Sequence, residues 1–251
     1  ALVSALALAL AFALPTSAAR AQTFQSSARF AALIDFETGA VLYEKNADEP
    51  MTPGAIVKLM TAEVVFHEIK EGRLHLDDTF EVSENAWRNG GAHSHGTATF
   101  LNVHSRVRVE DLLRGLIVQS GNDAAMTLAE GIAGTEDKGA IMMNKRAAEL
   151  GLTRSTFANP RGISDPRQKV TDRDMARLAA AIIRDDADYY HYFGEKEFTW
   201  NKIRQLNRDP LLSMDIGADG LMAGESSESG FDMVGSAVQD GQRLIVVVGG
   251  L

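Results

Sequence analysis

The chain has 251 residues, of which 45% are hydrophobic and 24% charged, and its formal net charge is −9. This length and composition predict one large globular domain with a substantial core. The basic residues are scattered along an acidic chain, which argues against a nucleic-acid partner and against a polybasic membrane surface. The chain contains no cysteine, so disulfides, thiol nucleophiles and Cys-ligated zinc are excluded.

The first 21 residues differ in composition from the rest. An apolar run over residues 1–14, interrupted only by Ser4, is followed by Pro15, small residues and Ala19-Arg20-Ala21. This pattern predicts a secretory signal peptide over residues 1–21, because the run is too short to span a bilayer comfortably. An uncleaved anchor is the alternative. Residues 22–251 are then expected to form the exported domain.

Two β-prone runs, 30–36 and 40–44, flank Glu37-Thr38-Gly39 and predict a β-hairpin. Apolar residues at helical spacing predict a helix from about residue 55 to Gly72. The next stretch, 73–108, shows no sustained period and predicts loops and small strands. Four further helices are expected at about 109–118, 123–133, 137–150 and 171–185.

The end of the chain returns to strand-like patterns. Residues 231–238 and 243–248 are β-prone, and Gln239-Asp240-Gly241-Gln242 between them is a strong turn signal. Strands at both chain ends with helices between them predict an α/β protein. In this fold the terminal hairpins pair in one antiparallel sheet, and the helices cover it.

Lys58 lies three residues after Ala55, where the expected helix begins. This arrangement has the form of an S-x-x-K motif in which Ala replaces Ser. Residues three apart at a helix start share a face, so the Lys amine of such a motif reaches the Ser hydroxyl and helps to activate it for attack on a carbonyl. Ala55 carries no hydroxyl. The alternative for Lys58 is a position on a solvated helix face.

Ser120-Gly121-Asn122 has the form of the S-x-N motif that accompanies S-x-x-K. It comes just before an expected helix, and Ser and Asn are also preferred N-caps. A capping role is therefore the alternative to a catalytic one.

Several further segments extend the resemblance beyond these two motifs, so that the chain from about residue 30 to residue 251 is similar to the serine D-alanyl-D-alanine carboxypeptidases. These low-molecular-mass penicillin-binding proteins trim peptidoglycan stem peptides. The segments are Lys58-Leu59-Met60-Thr61, Val109-Glu110-Asp111-Leu112-Leu113, Gln119-Ser120-Gly121-Asn122-Asp123-Ala124, Phe157-Ala158-Asn159-Pro160, Val170-Thr171-Asp172-Arg173-Asp174 and Asp219-Gly220-Leu221.

The resemblance implies a β-lactamase/transpeptidase-like α/β fold, with an antiparallel sheet flanked by helices and a mostly helical region. It also implies a periplasmic location and an acyl-enzyme mechanism at a Ser. The family's third motif, K-T-G, falls at Met222-Ala223-Gly224 in this chain. In the family the Lys and Thr hold the substrate carboxylate, and Met222 and Ala223 offer neither group. Glu225 adds a negative charge that disfavours an anionic substrate there.

Two hypotheses follow for the function. The first is a D-Ala-D-Ala carboxypeptidase by descent, impaired at Ala55, with Lys58, Ser120 and Asn122 in proton-transfer and positioning roles. The second is a non-catalytic pseudoenzyme that binds peptidoglycan or another partner. The implied ligands are a peptidoglycan stem peptide or a β-lactam, and nothing in the chain supports membrane association.

No cofactor and no metal are expected. His93, His95 and His104 are close together in the sequence, but they stand in a Gly- and Ser-containing stretch. Such histidines are more often solvated than metal-bound.

Overall fold

The structure is a computed structural model that describes residues 25–226, 228 and 230–251. The predicted signal peptide, residues 1–21, lies outside the described residues. The strands are β1 (Phe30–Asp35), β2 (Val41–Lys45), β3 (Thr79–Glu81), β4 (Arg106–Arg108), β5 (Glu197–Trp200), β6 (Ile203–Leu206), β7 (Ala218–Ser226), β8 (Gly230–Gln239) and β9 (Gln242–Gly249). The helices are α1 (Lys58–Lys70), α2 (Glu84–Gly90), α3 (Val109–Ile117), α4 (Asn122–Ala133), α5 (Glu136–Glu149), α6 (Asp172–Asp185) and α7 (Ala187–Tyr190).

Five strands form one antiparallel sheet in the order β2-β1-β9-β8-β7. The pairing of the two chain ends is confirmed, because β1 runs antiparallel to β9 from Phe30 opposite Gly249 to Asp35 opposite Leu244. Between β8 and β9, Asp240 and Gly241 have φ angles of 51° and 79°. Two successive positive φ values suit the tight two-residue hairpin turn that the sequence predicts.

The helical middle of the chain is also confirmed, with each expected helix present to within a few residues. The prediction of only loops and small strands over 73–108 was incomplete, because α2 forms there. Its start carries a local signal: the Ser83 side chain accepts a hydrogen bond from the backbone N–H of Ala86 and so caps the helix. Residues 186–217, for which no element is predicted from the sequence, contain α7 and the β5–β6 hairpin.

Helix α1 is buried along nearly its whole length, including polar positions such as Glu63. It contacts α3, α4, α5 and α6. Leu59, Met60 and Phe66 on α1 are fully buried in the hydrophobic core. A helix covered on all sides has no solvated face, so its polar side chains are desolvated wherever they lie. This placement decides the chemistry of Lys58.

Candidate active site

A cavity of about 650 Å³ opens between the helical region and strand β7. It brings together segments that are far apart in the sequence. All four predicted catalytic positions line it, together with two of the three K-T-G positions: Ala55, Lys58, Ser120, Asn122, Ala223 and Gly224.

Lys58 is the first residue of α1, and its side chain is almost completely buried, with 1% exposed. Its Nζ donates a hydrogen bond of 2.6 Å to the backbone carbonyl of Arg161. Burial, together with the positive charges of Arg161 and Arg208, lowers the pKa of Lys58 from 10.5 to about 7. The alternative of a solvated Lys58 is therefore wrong. A substantial fraction of this amine is neutral near pH 7 and able to accept a proton.

Ala55 begins a short 3₁₀ turn, Ala55–Val57, that leads directly into α1. Its methyl group faces β7: a Cβ built on Gly224 would lie 2.5 Å from the Ala55 Cβ. A Cβ built on Gly54 would lie 2.8 Å from the backbone of Glu225. The turn and the strand therefore touch through glycines, and this close contact holds position 55 at the edge of the cavity.

Ser120 has φ of 58°, a left-handed conformation that is uncommon for a residue other than glycine. It is 1% exposed, and its Oγ has no hydrogen-bond partner among the residues that the structure describes. Strained backbone and an unpaired buried hydroxyl are typical of functional sites. Both features are consistent with a Ser120 hydroxyl that is held at the cavity to contact a ligand or to transfer a proton.

The capping alternative for Ser120-Gly121-Asn122 is wrong. The N-cap of α4 is Gly121, with no side-chain cap, and Asn122 is the first helical residue. The backbone N–H of Asn122 donates to the carbonyl of Thr97 at 2.8 Å. The Thr97 hydroxyl in turn donates to the carbonyl of Ser120. The motif is thus fixed by its backbone, and its side chains remain at the cavity.

Asp123, the residue after the S-x-N motif, stabilises the part of the cavity wall that contains the motif. Its side chain is fully buried and accepts hydrogen bonds from the backbone N–H groups of Thr99, Leu101 and Ala124 at 2.8, 3.0 and 2.9 Å. These bonds tie residues 99–101 to the start of α4. The loop before β4 and the S-x-N motif therefore form one unit.

The structure separates the three K-T-G positions. Ala223 and Gly224 line the cavity, whereas Met222 is 2% exposed and packs in the hydrophobic core. Glu225 is exposed and also lines the cavity, as its position in the sequence suggests. The β7 wall near Ala55 therefore presents small apolar groups and one carboxylate.

Two arginines of the cavity, Arg161 and Arg208, are not among the site residues predicted from the sequence. Arg161 forms an ion pair of 2.9 Å with Glu136, and the exposed Arg208 donates from Nε to the carbonyl of Gln119 at 3.1 Å. Arg161 directly follows the family-like segment that ends at Pro160, which was a usable signal. Arg208 lies in a stretch without any assigned element, so no pattern indicated it.

The three histidines do not form a site together. His93 packs edge-on against Trp87, His95 lines the cavity, and His104 lies 3.3 Å from Glu81. Over residues 25–226, 228 and 230–251, no group of three or more His, Cys, Asp or Glu side chains is arranged to hold a metal ion. Within the same part of the chain, no helix has the length and apolar character needed to cross a membrane.

Comparison with known families decides the assignment. A model of the family described as D-alanyl-D-alanine carboxypeptidase matches residues 16–250. The chain belongs to this family. The resemblance predicted from the motifs is thereby confirmed, and so is the fold class. The cavity brings together the segments of this chain that resemble S-x-x-K, S-x-N and K-T-G.

Individual family members are similar over most of this chain. D-alanyl-D-alanine carboxypeptidase DacC of Escherichia coli (strain K12) is 41% identical over 239 residues, covering 93% of this chain and 60% of that protein. DacA of Haemophilus influenzae is 40% identical over 229 residues, covering 90% and 58%. The chain thus spans about 60% of the length of these curated relatives.

Solved structures of the family have the same fold. Penicillin-binding protein 5 from Haemophilus influenzae superposes with a TM-score of 0.86 at 40% identity, covering 90% of this chain and 66% of that one. Penicillin-binding protein 6B from Escherichia coli gives 0.86 at 38% identity, covering 91% and 73%. Helices around an antiparallel sheet are therefore common to this chain and to these relatives.

Proposed function

We propose that this chain is an exported member of the D-alanyl-D-alanine carboxypeptidase family that binds the stem peptide of peptidoglycan without forming an acyl-enzyme. The observation that carries the proposal is the cavity itself. It keeps Lys58, Ser120 and Asn122 around position 55, yet position 55 is an alanine. A groove with its proton-transfer groups and no nucleophile can hold a ligand but has no atom with which to form an ester.

The charges of the groove support a ligand with a carboxylate. Arg208 is exposed at the cavity, while the nearby Arg161 is paired with Glu136. Glu225 lies on the β7 wall, so the positive and negative groups stand on different elements. The C-terminal carboxylate of a peptide would therefore pair with the guanidinium of Arg208. This agrees with the absence of a lysine at Met222, where the family has a cation for the substrate carboxylate. β-Lactams, which also carry a carboxylate, would bind there without covalent attachment.

The proposal includes the chain's organisation and location. Residues 1–21 act as a signal peptide, residues 22–251 form the carboxypeptidase-like domain, and the mature protein works in the periplasm. Edman sequencing of the exported protein is expected to give an N-terminus near Gln22. A much longer or unprocessed N-terminus would contradict this part of the proposal.

The test of function is a calorimetric titration of residues 22–251 with a pentapeptide that ends in D-Ala-D-Ala. A peptide ending in L-Ala-L-Ala serves as the control ligand. We expect saturable binding of the first, weaker binding of the second, no release of D-Ala, and no adduct with fluorescent penicillin by intact mass. Failure to bind the D-Ala-D-Ala peptide would overturn the proposal.

A slow carboxypeptidase is the second candidate, and Lys58 is the observation that favours it. An amine whose pKa is about 7 could serve as a general base for a water molecule at the position of the missing hydroxyl. In that case D-Ala release would be measurable in the same titration mixture and would disappear in Lys58→Met. Release that persists in Lys58→Met would exclude this candidate and indicate a contaminating enzyme.

A further inference from the structure

Two buried carboxyl groups lie beneath the segment that carries position 55. Asp232 on β8 is 0% exposed, and Asp172 at the start of α6 is 1% exposed. Asp232 is paired across the sheet with Gly224 of the cavity wall. Neither carboxyl group lines the cavity, so neither belongs to the set of groups that a ligand touches.

Asp232 holds the backbone immediately before Ala55. Its Oδ2 accepts a hydrogen bond of 2.9 Å from the N–H of Gly54, and its Oδ1 accepts one of 3.2 Å from the N–H of Gly250. Hydrogen bonds to an ionised carboxylate are stronger than those between neutral groups. The bond to Gly54 therefore restrains the turn that presents Ala55 to the cavity.

Asp172 lies close to the end of β9, next to the residue that donates to Asp232. A Cβ built on Gly249 would be 3.4 Å from its Oδ1, and the next residue, Gly250, donates to Asp232. Neither oxygen of Asp172 has a hydrogen-bond partner among the described residues. Burial first, and the negative charge of Asp232 second, raise the pKa of Asp172 to about 7. A helix start favours a carboxylate, but burial outweighs that effect here.

We propose that Asp172 and Asp232 form a positioning pair for the groove, in which Asp232 fixes Gly54 and a single proton on the pair keeps both carboxyl groups in place. With Asp172 protonated, the pair has one negative charge, and Asp232 keeps its bonds to Gly54 and Gly250. When Asp172 loses its proton, two like charges face each other where water does not screen them. Repulsion then displaces Asp232 from Gly54, and position 55 moves away from the β7 wall.

Other charged groups near the pair are already engaged elsewhere. Lys169 donates to the Thr52 hydroxyl, Arg173 is paired with Asp48 and Glu44, and Arg177 is paired with Asp174. Arg29 borders Gly250 with its aliphatic part and places its guanidinium over the Phe30 ring. The charge that acts on the pKa of Asp172 is that of Asp232.

The first arm of the test needs no ligand and follows the Gly54 amide of the 15N-labelled domain by NMR from pH 5 to pH 9. We expect its proton shift to titrate with a midpoint near 7 in the wild-type chain. The change with pH should be clearly smaller in Asp172→Asn, whose amide has the same shape and does not titrate, because Lys58 then remains as a source of the shift; an equal change in both proteins would contradict the proposal. The matched control is Asp77→Asn, an exposed aspartate in the loop before β3, which should titrate like the wild type. A constant Gly54 shift in the wild-type chain would overturn the proposal.

The second arm measures the affinity for the D-Ala-D-Ala pentapeptide at pH 5.5 and pH 8, and this arm rests on the proposed function. The proteins compared are the wild-type chain and Asp172→Asn. Lys58 also titrates in this range, but both proteins contain it, so the ratio of their dissociation constants reports the effect of Asp172 alone. We expect equal affinities at pH 5.5 and about threefold to tenfold tighter binding by Asp172→Asn at pH 8, or about 1 kcal/mol. Equal affinities at both pH values would overturn the coupling between the pair and the groove.

The two arms separate this inference from the proposed function. A titrating Gly54 amide without peptide binding supports the positioning pair and refutes the ligand. Peptide binding with a constant Gly54 shift supports the ligand and refutes the positioning pair. Asp232→Asn provides a further readout, because its amide accepts fewer hydrogen bonds than a carboxylate. We expect amide exchange at Gly54 to accelerate by about tenfold, which corresponds to the loss of one typical hydrogen bond.

Discussion

The two walls of the cavity differ in what they retain. The helical wall keeps a buried Lys58 with a lowered pKa, the strained Ser120 and Asn122 at the start of α4. The β7 wall presents Ala223, Gly224, Glu225 and Ser226, and among these four only Glu225 is charged. The helical wall therefore carries an amine, and the β7 wall carries a carboxylate. The difference teaches that the fold positions the groups of the two walls independently, because they lie on separate elements.

The largest expected effect comes from restoring the missing oxygen to the helical wall. Ala55→Ser should form a covalent adduct with penicillin, whereas the wild-type chain should form none, because loss of a Ser nucleophile lowers turnover by about a millionfold in a serine hydrolase. Time-resolved intact-mass measurement of the adduct checks this. The control is Ala55→Ser with Lys58→Met, which should be slower than Ala55→Ser by about a hundredfold or more. If Ala55→Ser stays unreactive, the helical wall has lost its working geometry too.

The second effect is the pH dependence of stability due to Lys58. Its folded pKa of about 7 is lower than the ordinary 10.5, so folding favours the neutral amine. Its contribution is complete above pH 10.5 and is lost as the pH falls towards 7, with a total of up to about 5 kcal/mol. Urea unfolding from pH 7 to pH 10 should show this slope.

The control for this slope compares two lysines. Lys58→Met should remove the rise in stability with pH, whereas Lys145→Met, at a position 79% exposed, should keep it. Asp172 affects the stability over a different pH range. Its raised pKa makes stability fall as the pH rises from about 4 to 7. A rise with pH that persists in Lys58→Met would show that another group is responsible.

The third effect tests the β7 wall. Met222→Lys should lower the free energy of unfolding by about 3 kcal/mol, because it puts an unpaired charge in the core. Met222→Leu should cost less than about 1.5 kcal/mol. Ala223→Thr should be tolerated, because Ala223 borders the cavity. If Met222→Lys is as stable as the wild type and binds the peptide more tightly, the side chain at 222 reaches the groove.

The smallest effect sharpens the electrostatic part of the comparison. Arg208→Gln should weaken binding of the anionic pentapeptide by about threefold to tenfold, and more strongly at low salt, because an exposed charge is screened by ions. Arg204→Gln is the matched control, since Arg204 is also exposed but is paired with Glu197 on the β5–β6 hairpin. Equal losses in both variants would mean that overall charge, and not contact with Arg208, governs the affinity.

Much of the secondary structure could be predicted from the sequence. Period-two and helical patterns identified the terminal hairpins and the helices α1, α3, α4, α5 and α6, because apolar residues recur in each at the spacing of its element. The short helix α2 was missed because seven residues do not establish a period. Its Ser83 cap was the signal available. The β5–β6 hairpin was missed because its strands are four residues long.

The sequence by itself determined the family, the order of the terminal hairpins and the five longer helices, and the absence of a hydroxyl at position 55, since each of these is a property of residue identity and local pattern. Only the tertiary structure decided which groups are desolvated and which meet. It buried Lys58, separated Met222 from Ala223, and brought Arg208 and Arg161 to one cavity. It also placed Asp172 within electrostatic reach of Asp232, 60 residues away. Burial and long-range contact depend on how all the elements pack, and no local stretch of sequence contains that information.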